Sequence, residues 1–236
     1  MPGRERLSRA LFAMGSGLSG ALGGLVDLLL PPACPVCDEL LDRAGEIICP
    51  ACRYGFDPLP GETTRTLGAD CEIRAGFHYG GAAREAIAAL KFRGRRELAR
   101  PLSQMTLGVL HGWPAERFDL LMPVPLHPGR LAERGFNQAA LLARAFARQL
   151  NLPVSQALVR TRPTLPQGQT RGPIERQRNV AAVFQVRDAR AVEGRRICLV
   201  DDVVTTGATL SSCARALRAA GAGSVGALCV ACAEPG

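Results

Sequence analysis

From residue 197 to residue 209 the chain reads Ile197-Cys198-Leu199-Val200-Asp201-Asp202-Val203-Val204-Thr205-Thr206-Gly207-Ala208-Thr209. Four consecutive apolar residues predict a strand over Arg196–Val200 that is buried on both faces, the mark of a parallel sheet between helices. Two carboxylates follow at the carboxyl end of that strand. A hydroxyl-rich loop with one glycine then leads into a helix. Each piece has a chemical use. A helix N-terminus carries unpaired N–H groups and partial positive charge, so it binds phosphate. Thr205, Thr206 and Thr209 add hydroxyl donors, and Gly207 lets the backbone approach an anion closely. Asp201 and Asp202 repel phosphate. They suit sugar hydroxyls and positive charge developing on a sugar ring. An ordinary capped helix also uses Asp and Thr, but it needs no adjacent carboxylates at a buried strand end.

Working outward, apolar periodicity alternates between strand and helix. Strands are predicted over Glu72–Tyr79, Asp119–Val124, Ala182–Val186 and Ser224–Cys232. Helices are predicted over Ala83–Phe92, Leu98–Leu110, Asn137–Leu150 and Ala208–Ala220, the last stopped by Gly221. The pattern implies an α/β domain from about residue 70 to 236 with a mainly parallel sheet. Ligands sit at the carboxyl ends of the strands in such sheets.

The net charge is +8, and Lys91 is the only lysine among the basic residues. Between Gly129 and Arg178 nine arginines face two acids, Glu133 and Glu175. Such a stretch suits a polyanion: pyrophosphate, a nucleotide or a nucleic-acid backbone. A genome bias toward arginine gives the same composition. Within this stretch, Arg130, Arg134, Asn137 and Gln138 lie between a strand end and a helix start, on the same sheet edge as the acidic loop. Guanidinium forks there match the oxygens of a leaving pyrophosphate. His127 reads as a surface or capping group. The polar segment from Arg160 to Arg178 reads as a flexible cover over the anion or as disordered surface.

There are nine cysteines. Cys34-Pro35-Val36-Cys37 and Cys49-Pro50-Ala51-Cys52 have the spacing of a four-thiolate structural zinc ribbon, placed in residues 31–60. Metal binding would replace the core that so short a region cannot build. Cys71, Cys198, Cys213, Cys229 and Cys232 sit in apolar stretches and read as core. This usage fits a reducing compartment and a cytoplasmic protein. Residues 1–30 form an arm: Arg4, Arg6 and Arg9 precede an apolar run to Leu30. Asp27 and five glycines weaken a signal peptide or membrane span, leaving an arm that packs on the body or touches a membrane.

Residues 197–209 resemble the phosphoribosyl-pyrophosphate signature of type I phosphoribosyltransferases. That resemblance implies that Asp201 and Asp202 hold the ribose hydroxyls. It implies that Val203, Val204, Thr205, Thr206, Gly207, Ala208 and Thr209 bind the 5′-phosphate, and that Mg²⁺ is chelated mainly by ligand oxygens. The wider chain is similar to the ComF family of competence-associated proteins. The matching motifs are the cysteine pairs, Ala-Leu-Lys-Phe (89–92), Pro-Val-Pro-Leu (123–126), Arg-Gly-Phe-Asn-Gln (134–138), Thr-x-x-Gln (164–167), Arg-x-x-Asn (176–179) and the acidic strand end. The family implies a type I phosphoribosyltransferase-like fold and a link to DNA uptake, with single-stranded DNA and helicase-type DNA-processing machinery as partners. Three readings follow: a phosphoribosyltransferase of unknown base, a DNA-binding accessory protein and a non-catalytic sensor of phosphoribosyl pyrophosphate.

Overall fold

A computed structural model describes residues 32–42, 45–60, 64–67, 71–110, 112–161 and 183–233. The arm of residues 1–30 and most of the 160–178 segment lie outside the described residues. No helix among the described residues is long and apolar enough to cross a membrane. The chain divides into two compact units, residues 1–49 and 50–236.

In the first unit the backbone closes a tight knuckle. Ala33 and Leu40 form an antiparallel bridge. The Asp38 amide donates to the Cys34 carbonyl at 2.7 Å, and the Cys34 amide donates to the Glu39 carbonyl at 2.7 Å.

The second unit opens with a short helix, α1 (Pro50–Tyr54), and a hairpin of β1 (Thr64–Leu67) and β2 (Cys71–His78). Then come α2 (Gly81–Phe92), α3 (Ala99–Val109), β3 (Leu120–Pro123), α4 (Pro128–Arg134), α5 (Gln138–Leu150), β4 (Leu158–Arg160) and β5 (Phe184–Val186). The chain continues through β6 (Arg196–Val204), α6 (Ala208–Ala219) and β7 (Ser224–Cys232). The main sheet has the order β1-β2-β7-β6-β3. Its β2, β7, β6 and β3 run parallel, and β1 is an antiparallel edge. This is the mainly parallel α/β fold expected from the sequence. The strand near Ala182–Val186 is the exception: it is shorter and pairs antiparallel with β4 in a separate two-stranded sheet. A run this short has too little periodicity to reveal its partner.

Parity along the strands divides the core, because successive side chains point to opposite faces. Ile197 and Leu199 of β6 join Val225 and Ala227 of β7 against Leu210, Cys213, Ala214 and Leu217 of α6. On the other parity, Cys198 and Val200 are fully buried. Helix α5 lies against β3 and β6, and α3 lies against α5 and β2. Each Leu or Ile so enclosed contributes about 1.5–3 kcal/mol. Cys71, Cys198, Cys213 and Cys229 are buried and Cys232 is partly buried, as expected for core thiols.

Two features at the amino edge of the sheet can be tested. A Cβ at Gly226 would stand 2.8 Å from Cζ of Phe118, whose ring stacks on Trp113. Gly226→Ala should therefore cost about 1–3 kcal/mol by overpacking. Urea unfolding would read this, and Phe118→Leu in the same chain should recover part of the loss. Asp119 accepts from the Arg196 amide at 2.8 Å and from its guanidinium at 2.6 and 3.1 Å. The Arg196 side chain, then its amide, hold the Asp119 carboxyl down at about 2. A depressed carboxyl stabilises above its unfolded range of roughly 4 and loses that contribution as pH falls through the folded value. The stability gap between the native chain and Asp119→Asn should therefore be constant near neutrality. It should close between pH of about 4 and about 2.

Candidate functional site

The site begins with β6, which is longer than predicted. Arg196–Val204 runs four residues past Val200, so both carboxylates lie within the strand rather than beyond its end. The alternation of valines with Asp201 and Asp202 extends the strand where a loop was expected. Adjacent strand residues leave on opposite faces. Asp201 shares the parity of Ile197 and Leu199, the α6 face. Asp202 shares the parity of Cys198 and Val200.

The two carboxylates have different surroundings. Asp202 is 3% exposed. Its Oδ1 accepts from the Val203 amide at 2.8 Å, and its Oδ2 stands 2.8 Å from Nζ of Lys91 on α2. Losing the ammonium would strand a buried charge, at a cost on the order of 3–5 kcal/mol. Asp201 Oδ1 accepts from the Asp202 amide at 2.9 Å. Burial, then the charge of Asp202, push the Asp201 carboxyl well above the ordinary carboxylate range, against opposing pulls from that amide and Lys91.

After Val204 the chain turns through Thr205 and Thr206, both exposed, and Gly207, whose φ of 77° lies in the left-handed region. Gly207 is the N-cap of α6 and supplies no capping side chain. Thr206 Oγ1 accepts from the Ala208 amide at 3.4 Å. Asp201 and residues 203–210 line a cleft of ≈ 50 Å³. Thus the cleft joins one carboxyl, three threonines and a helix N-terminus. Asp202 is not in its wall. A larger cavity of ≈ 460 Å³ lies along the second half of α6 and against β5. Among the described residues Arg215 is its only charged wall residue, and no carboxylate lines it.

The Arg-Gly-Phe-Asn-Gln run forms the junction between α4 and α5. Arg134 stacks over Phe92 at 5.1 Å and donates to Gln138, which is buried. Gly135 closes α4 in the left-handed conformation. Phe136 is buried beneath the guanidinium of Arg96, 4.5 Å away. Asn137 caps α5 by accepting from the Ala139 amide, and it donates to the Val124 carbonyl at 3.0 Å. Four of the five residues therefore have partners within the fold, and the glycine makes the turn. Arg130 is 69% exposed and faces Glu133 at 3.5 Å. Segment 128–134 is helical where the sequence reading had a loop. Pro128 in its first turn and His127 at its N-cap explain the helix, with His127 Nδ1 accepting from the Gly129 amide at 3.1 Å. His127 is thus a capping group.

Two residues near the acidic pair were not singled out as site residues. Lys91 reaches Asp202, and its signal was available: it is a lone lysine in an arginine-rich chain, within a motif already noted. Arg160 on β4 lies near Asp201 and Cys213, and burial lowers its basicity. Nothing in its sequence neighbourhood points to that placement.

The four knuckle thiols, Cys34, Cys37, Cys49 and Cys52, have sulfurs within 4.8 Å of one another. Tetrahedral zinc with Zn–S near 2.3 Å sets sulfurs roughly 3.8 Å apart. Cys37 and Cys49 sulfurs are 3.6 Å apart. Burial alone raises the Cys34 thiol, but amides of Cys49, Cys37 and Val36 outweigh it and bring the group from 9.0 to about 7. An all-sulfur set of four fits structural zinc. Elemental analysis should find zinc bound, and Cys49→Ser should lose at least about tenfold in zinc affinity against a chromogenic chelator.

Two domain families match the chain. Residues 136–235 match the phosphoribosyl transferase domain family. Residues 25–75 match the double zinc ribbon domain family. The DNA utilization protein YhgH of Escherichia coli is 38% identical over 146 residues, 60% of this chain and 63% of that protein, so the match spans less than two thirds of that relative. Among solved structures, a glutamine phosphoribosylpyrophosphate amidotransferase from Bacillus subtilis aligns with TM-score 0.38 and 21% identity, over 57% of this chain and 25% of that one. The Competence protein ComFC of Bacillus subtilis is 30% identical over 199 residues, 78% of this chain and 77% of that protein. With that coverage and both domains matched, the chain belongs to the ComF family of competence-associated proteins.

Proposed function

We propose that this chain binds phosphoribosyl pyrophosphate, or the phosphoribosyl end of a nucleotide, with Mg²⁺, in the cleft between β6 and the start of α6. The observation that carries the reading is the cleft's wall, which holds Asp201 together with the Thr205–Thr209 turn. The N-cap glycine supplies no capping side chain, and apart from the Ala208 amide, which Thr206 accepts from at 3.4 Å, the first-turn N–H groups are left for a phosphate. Asp201 accepts from a ribose hydroxyl, and Asp202 supports the strand from its other face. Arg130 and Arg134, with Asn137 and Gln138 fixing the α4–α5 junction, line the approach of the pyrophosphate. Asp202 is already engaged by Lys91, so the described residues around the cleft offer a cation little beyond Asp201. That suits Mg²⁺ held mainly by the ligand's own oxygens, where it neutralises the pyrophosphate.

The test is calorimetric titration of the full chain with phosphoribosyl pyrophosphate and Mg²⁺. Saturating ligand should raise the unfolding temperature, because it binds only the folded state. The double variant Asp201→Asn, Asp202→Asn should lose at least about tenfold in affinity. No stabilisation and no heat of binding would refute the reading. Release of pyrophosphate in the presence of a base identifies a transferase; binding without release identifies a sensor.

A second reading has its own observation. Phe92 is 72% exposed with the Arg134 guanidinium over its ring, and Tyr54 is 89% exposed. Phe56, Phe77 and Phe136 are buried and give no stacking surface. Exposed rings beside arginines suit stacked bases and a phosphate backbone. The relatives named for competence and DNA utilization support a role with DNA, and this reading extends it to DNA-processing machinery as a partner. Binding of a single-stranded oligonucleotide should fall steeply with salt and weaken in Phe92→Ala and Arg130→Ala.

A further inference from the structure

Two adjacent carboxylates beside a phosphate cradle pose an electrostatic problem. Each, when ionised, repels the anion that the helix N-terminus attracts, and burial together with the repulsion between them pushes Asp201 toward its neutral form. The structure addresses it with the chain's single lysine. Lys91 lies in the last turn of α2, and its ammonium stands 2.8 Å from Asp202 Oδ2. The lysine side chain is 20% exposed and that of Asp202 is 4% exposed, so water screens the pair little. Neighbouring residues tie the same segment to the other candidate motif: Phe92 lies under Arg134, and Arg96 lies over Phe136. The lysine is thereby fixed on a frame shared by the acidic strand and the α4–α5 junction.

We propose that Lys91 is a positioning residue of this site: it cancels the charge of Asp202 and pins that carboxylate on the sheet face to which strand alternation directs it, so an incoming phosphate ester meets one unopposed carboxyl, Asp201, instead of two. The inference rests on the anion-binding reading above. Among the described residues, the charged and titratable groups facing Asp201 are Asp202 on its own strand, Lys91 from α2, Cys213 from α6, Cys229 from β7 and Arg160 from β4. Both thiols are held protonated by burial. Among the described residues that leaves Lys91, Asp202 and Arg160 as the charged side chains acting on Asp201, beside the N-terminus of α6.

The test is a double-mutant cycle on the full chain, with phosphoribosyl pyrophosphate and Mg²⁺ as the probe. Lys91→Met should weaken binding at least about tenfold in the native background and change it by less than about threefold in the Asp202→Asn background. Lys91→Arg should stay within about threefold of the native chain. Equal losses in both backgrounds would show that Lys91 acts independently of Asp202 and would overturn the proposal. If Lys91→Met alone does not fold, the comparison of Asp202→Asn with the double variant decides, and a gap above about threefold overturns it. A ligand-free arm separates this proposal from the binding reading. The Asp201 carboxyl, followed by carbon NMR, should titrate at higher pH in Lys91→Met and return toward its native position in the double variant. If the native chain binds no probe, the binding reading falls while this titration still judges Lys91. An unmoved Asp201 would overturn the role given to it.

Discussion

Side-chain alternation along β6 is the constraint from which the rest of the site follows. Adjacent strand residues cannot face the same way, so Asp201 and Asp202 serve different faces of one sheet. Asp201 borders the turn that opens α6. Asp202 turns toward α2 and meets Lys91. A pair that looks symmetrical in sequence is chemically divided: one carboxyl is pushed toward its neutral form and borders the cleft, while the other is buried and matched by an ammonium. The parallel arrangement of β3, β6 and β7 gathers the loops at their carboxyl ends, where such sheets bind ligands.

The same economy appears at the α4–α5 junction. Residues that read as anion ligands are busy within the fold. Arg134 bridges Phe92 and Gln138, and Asn137 joins the start of α5 to the end of β3. These contacts fix the junction relative to the acidic strand through the segment that ends α2. Arg130 keeps an exposed guanidinium. The knuckle is a separate solution to a separate problem: four thiols brought within reach of one ion supply the order that so short a region cannot get from burial.

Much of this was legible in the sequence. Ile197 to Val200 announced a buried parallel strand, and the helices over α2, α3, α5 and α6 followed from apolar spacing. The cysteine spacing foretold the four-sulfur cluster. The limits were also physical. The valines after Asp202 continue a strand, but beside two carboxylates and a threonine-glycine turn they read equally well as a loop. The β4–β5 pair joins residues more than twenty positions apart through three-residue strands, too short for periodicity to reveal. Lys91 was marked as the lone lysine, but its partner Asp202 is set by tertiary packing, and Arg160 reaches the acidic pair with no local pattern to announce it.

The most direct measurement of the central claim is a crystal structure of the full chain soaked with phosphoribosyl pyrophosphate and Mg²⁺. The account expects the 5′-phosphate on the main-chain amides of residues 205–209, with a ribose hydroxyl on Asp201 and Asp202 still on Lys91. A ligand lodged instead along α6 and β5, or a turn at 205–209 that excludes any anion at saturating concentration, would contradict it.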